Sequence, residues 1–330
     1  RDGSPGLQRS ILPPAQYAII ASCDVAAAMM EEPGGTALVE ESIAEALDFR
    51  RAMRKVDEEW GADWWFKVWG PDDLSEEGIE ERESWMLKPG DRWHGFGQLV
   101  DGFNMLDPIK ATIITPGLDV DGAFSEDIGI PAAIVTKYLA EHGVIVEKCG
   151  LYSFFIMFTI GITKGRWNTM VTELQQFKDH YDKNQPLWKV LPEFCQKHPR
   201  YENVGLRDLC DMIHGYYKAN DVARLTTEMY LSNMEPAMKP ADAFAKMAHR
   251  EIERVAIDDL EGRVTAMLVT PYPPGIPLLI PGERFNRTIV NYLQFAREFN
   301  ERFPGFETDV HGLVKGEKDG KPAYYVDCVR

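Results

Sequence analysis

The chain has 330 residues, 45% hydrophobic and 27% charged, a balance that supports a sizeable core and excludes disorder throughout. Acidic residues outnumber basic ones 52 to 36, giving a formal net charge of −16. So acidic a surface repels phosphate backbones and no basic patch offsets it, so nucleic-acid binding is not expected.

No membrane span is expected either: the longest apolar candidate, 151–162, is broken by Ser153 and Gly161 and falls short of the roughly 18 residues a span needs. The chain opens on Arg1 with no signal pattern after it, the start expected of a processed, truncated or excerpted chain. Five scattered cysteines without a C-x-x-C pair read as reduced cytosolic thiols, not a disulfide framework or zinc site, and point to a cytoplasmic protein.

In chain order, residues 1–16 are rich in Gly, Pro and Ser and read as an irregular lead-in. The apolar run 17–22 reads as a strand and 25–30 as a small-residue helix capped by Asp24. After Pro33-Gly34-Gly35, a long amphipathic helix starts at Thr36, with Leu38, Ile43, Leu47, Met53 and Val56 on one face. The tryptophan-rich run 64–69 reads as a buried strand. Residues 75–83 read as a solvated loop, with an acidic binding surface as the sharper alternative.

The clearest alternation lies between 107 and 180. Residues 111–115 read as a strand, and 130–142 as a helix started by Pro131 and stopped by Gly143. Two strands follow at 144–147 and 154–159, then a helix over 164–183. This order predicts a small α/β layer with helices against a sheet. After Pro186 the character changes to helices at 206–219, 221–231, 240–260 and 288–302, a proline cluster over 271–277, and a hairpin over 312–329 turning at Lys318-Asp319-Gly320.

The common catalytic signatures are missing: no G-x-S-x-G, no H-E-x-x-H and no Walker loop. Asp211 with His214, and His249 with Glu253, are spaced to share a helical face, but two ligands do not make a metal site and solvated or capping roles are the ordinary reading. Two places point further. Glu147 stands at the end of a predicted strand, where α/β sheets commonly place ligand contacts; a surface glutamate paired with Lys148 is the alternative. Tyr272 sits among four prolines and Gly275, a stiff frame suited to holding a phenol against a cavity or a partner, or to a plain crossing between core elements.

Taken together, the segments resemble the carboxyl-terminal portion of the bacterial Orn/Lys/Arg decarboxylases, fold-type-I enzymes dependent on pyridoxal phosphate. The resemblance is carried by Tyr17-Ala18-Ile19-Ile20-Ala21-Ser22, Trp93-His94-Gly95-Phe96, Leu106-Asp107-Pro108-Ile109-Lys110, Thr115-Pro116-Gly117 and Gly129-Ile130-Pro131-Ala132. It continues through Val146-Glu147-Lys148, Pro271-Tyr272-Pro273-Pro274-Gly275, Pro281-Gly282-Glu283 and Phe303-Pro304-Gly305-Phe306-Glu307, in the family's order.

The resemblance implies an α/β chain in three parts. Residues 1–35 would be the lead-in and the tail of the cofactor-binding subdomain. Residues 36–185 would form the small subdomain of the aminotransferase-like fold, and 186–330 a helix-rich α+β carboxyl-terminal domain. It implies a cytoplasmic lyase that removes CO2 from arginine, lysine or ornithine, the cofactor's pyridine ring serving as electron sink, in a homodimer able to build higher oligomers.

In substrate binding, Glu147 matches the family glutamate that holds the distal cationic group, and Tyr272 a tyrosine that approaches the active site across the dimer. The family's Schiff-base lysine follows a histidine, and no His-Lys dipeptide occurs here. The family's hydroxyl-rich phosphate-binding stretch before Tyr17 is replaced by Ile11-Leu12-Pro13-Pro14-Ala15. No catalytic, cofactor-binding or metal residue is therefore assigned. The alternative is a catalytically inactive chain that acts only as a binding or oligomerisation module.

Overall fold

The computed structural model describes residues 16–71, 75, 81–119, 121–272, 275–318 and 321–330. By packing, the chain falls into two compact units, one ending at Tyr216 and the other running Tyr217–Arg330. The change of sequence character near 185 is thus not where packing divides: the division falls inside a continuous helix, Leu206–Ala219.

The first unit opens with helices α1 (Tyr17–Met29) and α2 (Gly34–Trp60). The strand expected over 17–22 is helical instead. Alanines at 18, 21 and 26–28 give the segment a helix propensity that outweighs Ile19 and Ile20, and α1 buries none of its residues. Helix α2 does bury a stripe, including Leu47, Phe49, Arg50, Met53 and Val56.

Next come β1 (Lys67–Val68), β2 (Lys110–Ile114), α3 (Ala132–Glu141), β3 (Lys148–Cys149), β4 (Ser153–Met157) and α4 (Lys164–Asp182). The strands form one sheet in the order β1-β2-β4-β3, all pairs antiparallel, with Lys110 opposite Met157 and Ile114 opposite Ser153. This is the expected α/β layer. Phe49 of α2 meets Phe158 and Trp167 at ring distances of 5.5 and 6.0 Å, and Trp167 Nε1 donates to Glu45 at 2.6 Å. Helices α2 and α4 are thereby tied beside the end of β4.

Two sequence readings need correction here. Of the strand expected over 64–69 only Lys67–Val68 pairs, because a 3-10 turn, Gly61–Asp63, leads into Trp64; Trp64 and Phe66 are buried as expected. The strand expected over 144–147 is displaced onto β3, leaving 144–146 irregular. The loop reading of 75–83 and the turn at Asp319-Gly320 lie largely outside the described residues.

The first unit ends with short helices α5 (Leu187–Val190) and α6 (Pro192–Lys197) and most of α7 (Leu206–Ala219). The second unit continues with α8 (Val222–Leu231), α9 (Pro240–Ala248), β5 (Ile252–Ala256), β6 (Thr270–Tyr272), α10 (Arg287–Arg302), β7 (Asp309–His311), β8 (Val314–Lys318) and β9 (Lys321–Val329). The single helix expected over 240–260 stops at Ala248, because Arg250 adopts φ 61° and reverses the chain into β5. The hairpin β8–β9 forms as read, and β5 adds to it in the order β5-β9-β8, while β6 and β7 pair separately.

Helix α10 is capped by Asn286, whose side chain accepts from Ile289 N at 3.0 Å, satisfying one of the amides left free at a helix start. Its Ile289, Leu293 and Ala296 recur on one face and join Val255, Val269, Leu279 and Val326 in a buried core. No helix among the described residues is long and apolar enough to cross a membrane.

Candidate functional site

Glu147 is placed by the turn that follows α3. Gly143 takes φ 80°, a conformation cheap only for glycine, and releases the chain into 144–146. Glu147 N then donates to Phe155 O at 2.9 Å, immediately before Lys148 pairs with Phe155 in β3. Glu147 therefore leads into a strand, whereas the sequence reading had it end one.

Its side chain lines a groove of about 560 Å3 whose other walls are Ile156–Thr159 at the end of β4 and the first turns of α4. Ile145, Ile156, Phe158, Trp167 and Met170 make that lining mainly apolar, and Arg166 is its cation. Neither the Glu147 carboxylate nor the Arg166 guanidinium is held by an ion pair among the described residues, and Glu147 does not pair with Lys148. The groove thus offers an exposed anion over an apolar wall, a surface complementary to a cation on a hydrocarbon stem.

Tyr272 belongs to the second unit. It ends β6 opposite Asp309, is 45% exposed, and lays its ring against His311 at 4.4 Å between centroids. Asp309 Oδ2 in turn lies 3.0 Å from His311 Nε2. Gly275 folds beneath the ring with φ 79°, where a Cβ would come within 2.8 Å of Tyr272 Cε1. Gly275 thus packs against the phenol, while Pro273 and Pro274 lie outside the described residues. Glu147 and Tyr272 fall in different compact units.

The spaced acid–histidine pairs resolve into other work. His214 bonds Tyr152 and Ser125, and Glu253 lies on β5, paired with Arg263, whereas His249 caps the end of α9. Sequence reasoning missed Arg166; its signal was a lone arginine between Gly165 and Trp167 at a helix start, indistinguishable from a solvated residue.

Solved structures that superpose on this chain include lysine decarboxylases. Lysine decarboxylase A from Pseudomonas aeruginosa superposes with a TM-score of 0.90 at 48% identity, over 97% of this chain and 43% of that one. The constitutive lysine decarboxylase of Escherichia coli gives 0.87 at 36% identity, over 96% and 44%. In sequence, lysine decarboxylase LdcA of P. aeruginosa is 49% identical over 96% of this chain and 42% of its own length. The biodegradative arginine decarboxylase of E. coli K12 is 36% identical over 95% and 44%.

The family model for the Orn/Lys/Arg decarboxylase major domain matches residues 12–166, and that for the Orn/Lys/Arg decarboxylase C-terminal domain matches residues 223–330. The chain belongs to the Orn/Lys/Arg decarboxylase family, and it spans less than half the length of the relatives it matches.

Pyridoxal phosphate requires a lysine to condense with and donors around its phosphate. The Glu147 groove has no lysine in its lining, and its one carboxylate is exposed. These residues do not by themselves fit the cofactor, and no step through it is derived from them.

Proposed function

We propose that this chain is the carboxyl-terminal part of a pyridoxal-phosphate-dependent decarboxylase acting on a basic amino acid. In this reading Glu147 receives the distal cationic group of the substrate. Tyr272 is presented from the second unit toward an active site completed across a homodimer, and the Schiff-base lysine is supplied by sequence outside this chain. A cytoplasmic location is part of this reading, supported by the scattered free thiols. The observation that carries the reading is the unpartnered Glu147 carboxylate on an apolar groove. A carboxylate there costs little while solvated and gains a charge-assisted bond when a cation arrives.

The test has two parts. The purified chain is mixed with pyridoxal phosphate, reduced with borohydride and examined by mass spectrometry, with CO2 release from lysine, arginine and ornithine followed in parallel. No stoichiometric adduct and no CO2 is the expected result; a single adduct on one lysine with turnover would show that the anchor lies within these residues. In the enzyme completed with the family's amino-terminal portion, Glu147→Gln should weaken substrate binding by roughly 1.5–3 kcal/mol. An unchanged apparent affinity would remove Glu147 from the site. No turnover by the completed enzyme would leave the binding-module reading in its place.

A further inference from the structure

The second unit contains a cavity of about 340 Å3 between α10 and the strands β7, β8 and β9. Its base is apolar, made by Val310 and Leu313. One wall is fixed by Asn300 of α10, whose amide nitrogen donates to Thr308 O at 3.0 Å and whose oxygen accepts from Thr308 N at 2.8 Å. This two-way clamp holds the segment that carries Glu307. Arg297 also lines the cavity, but its guanidinium is spent on Asp258 at 2.9 Å.

Three polar groups in the same lining have no such engagement. The Glu307 carboxylate, the Lys315 ammonium and the Tyr324 hydroxyl make no hydrogen bond or ion pair among the described residues. The remaining charged group of the lining, Asp309, is engaged by His311, whose Nε2 lies 3.0 Å from its Oδ2. Glu307 and Lys315 face one cavity without pairing with each other. A carboxylate held apart from an ammonium and a phenol calls for a ligand that carries both charges, its ammonium toward Glu307 and its carboxylate toward Lys315 and Tyr324.

We propose that this cavity binds a free α-amino acid, its aliphatic side chain lying on Val310 and Leu313. The inference uses second-unit residues alone and does not depend on the decarboxylase reading. A non-basic probe keeps the two apart, because the Glu147 groove is suited to a cationic side chain.

The experiment is isothermal titration of the 330-residue chain with L-leucine, and with isoamylamine and 4-methylpentanoate, which carry one charge each. Saturable binding of one L-leucine is expected, with each single-charge analogue at least about tenfold weaker. Lys315→Met and Glu307→Gln should each weaken leucine binding by at least about tenfold. Both side chains are exposed, so the variants should keep the parent's urea midpoint. The proposal is overturned by any of three results: no saturable heat with leucine, leucine binding unaltered in both variants, or isoamylamine binding as tightly as leucine, which would mark a plain cation site.

Discussion

Tyr152 Oη lies 2.6 Å from His214 Nδ1, and Ser125 O lies 3.0 Å from the other ring nitrogen, Nε2. A carbonyl only accepts, so Nε2 carries the proton and Nδ1 takes the tyrosine's. Both side chains are buried. The pair joins α7 to the loop that carries Ser125 and to the turn before β4. Two glycines make room for it: a Cβ at Gly117 would overlap the Tyr152 ring, and one at Gly129 the His214 ring.

Tyr152→Phe should therefore leave a buried ring nitrogen without its donor and cost about 1–3 kcal/mol. Gly129→Ala should cost at least about 1–3 kcal/mol, since a packed imidazole has to move. Urea midpoints at pH 7.5 decide both. A loss under about 0.5 kcal/mol for Gly129→Ala, the size of a neutral surface change, would mean that the loop yields freely and the pair does not lock it.

Much of this architecture could be read from spacing alone. Helices α2, α3, α4, α7 and α10 have apolar residues at helical intervals together with recognisable starts or stops, so local signals and tertiary packing agree. The failures have particular causes. Segment 17–22 is short and apolar, a length at which periodicity does not separate strand from helix. Nothing in the residue types near 250 announces that Arg250 will adopt a left-handed conformation. Glu147 was legible as a carboxylate beside a turn, but its partner-free state and the nearness of Arg166 depend on contacts between β4 and α4. The Tyr152–His214 pair joins residues far apart in sequence, and composition gives no hint of it.

Arg50 is buried to 4% exposure on the core face of α2, and its charge is met by backbone oxygens. Nη1 donates to Trp69 O at 2.9 Å and Nη2 to Lys110 O at 3.0 Å, while the guanidinium sits 5.4 Å from the centre of the Trp85 ring. Burial pulls its pKa down to about 10, against the opposing pull of Asp107, so it stays charged at neutral pH. Arg50→Met should strand two carbonyls beside β1 and β2 and cost about 3 kcal/mol or more. Arg50→Lys, with a single nitrogen in place of a planar fork, should lose roughly half of that. Urea denaturation of both variants is the check, and a lysine variant as stable as the parent would show that the fork geometry is immaterial.

The same unit sets a direction for its response to acid. His180 on α4 meets the buried Tyr138 ring edge-on at 6.1 Å, and burial lowers its pKa below the ordinary 6.5. Asp179 and Glu173 pull upward, while His142 and Lys183 push in the same direction as burial. A histidine whose folded pKa is depressed binds fewer protons when folded than when unfolded, so stability rises with pH across the window between the two pKa values. The stability that His180 withholds is thus lost as pH falls below about 6.5 and is no longer withheld above it. His180→Gln removes that proton-linked loss. Unfolding free energies measured at half-unit steps from pH 5 to 7.5 should show the parent declining more steeply than the variant below about pH 6.5, with the two curves parallel above it. Parallel curves over the whole range would mean that His180 protonates equally well in both states, and that the acid response of this unit arises at other groups.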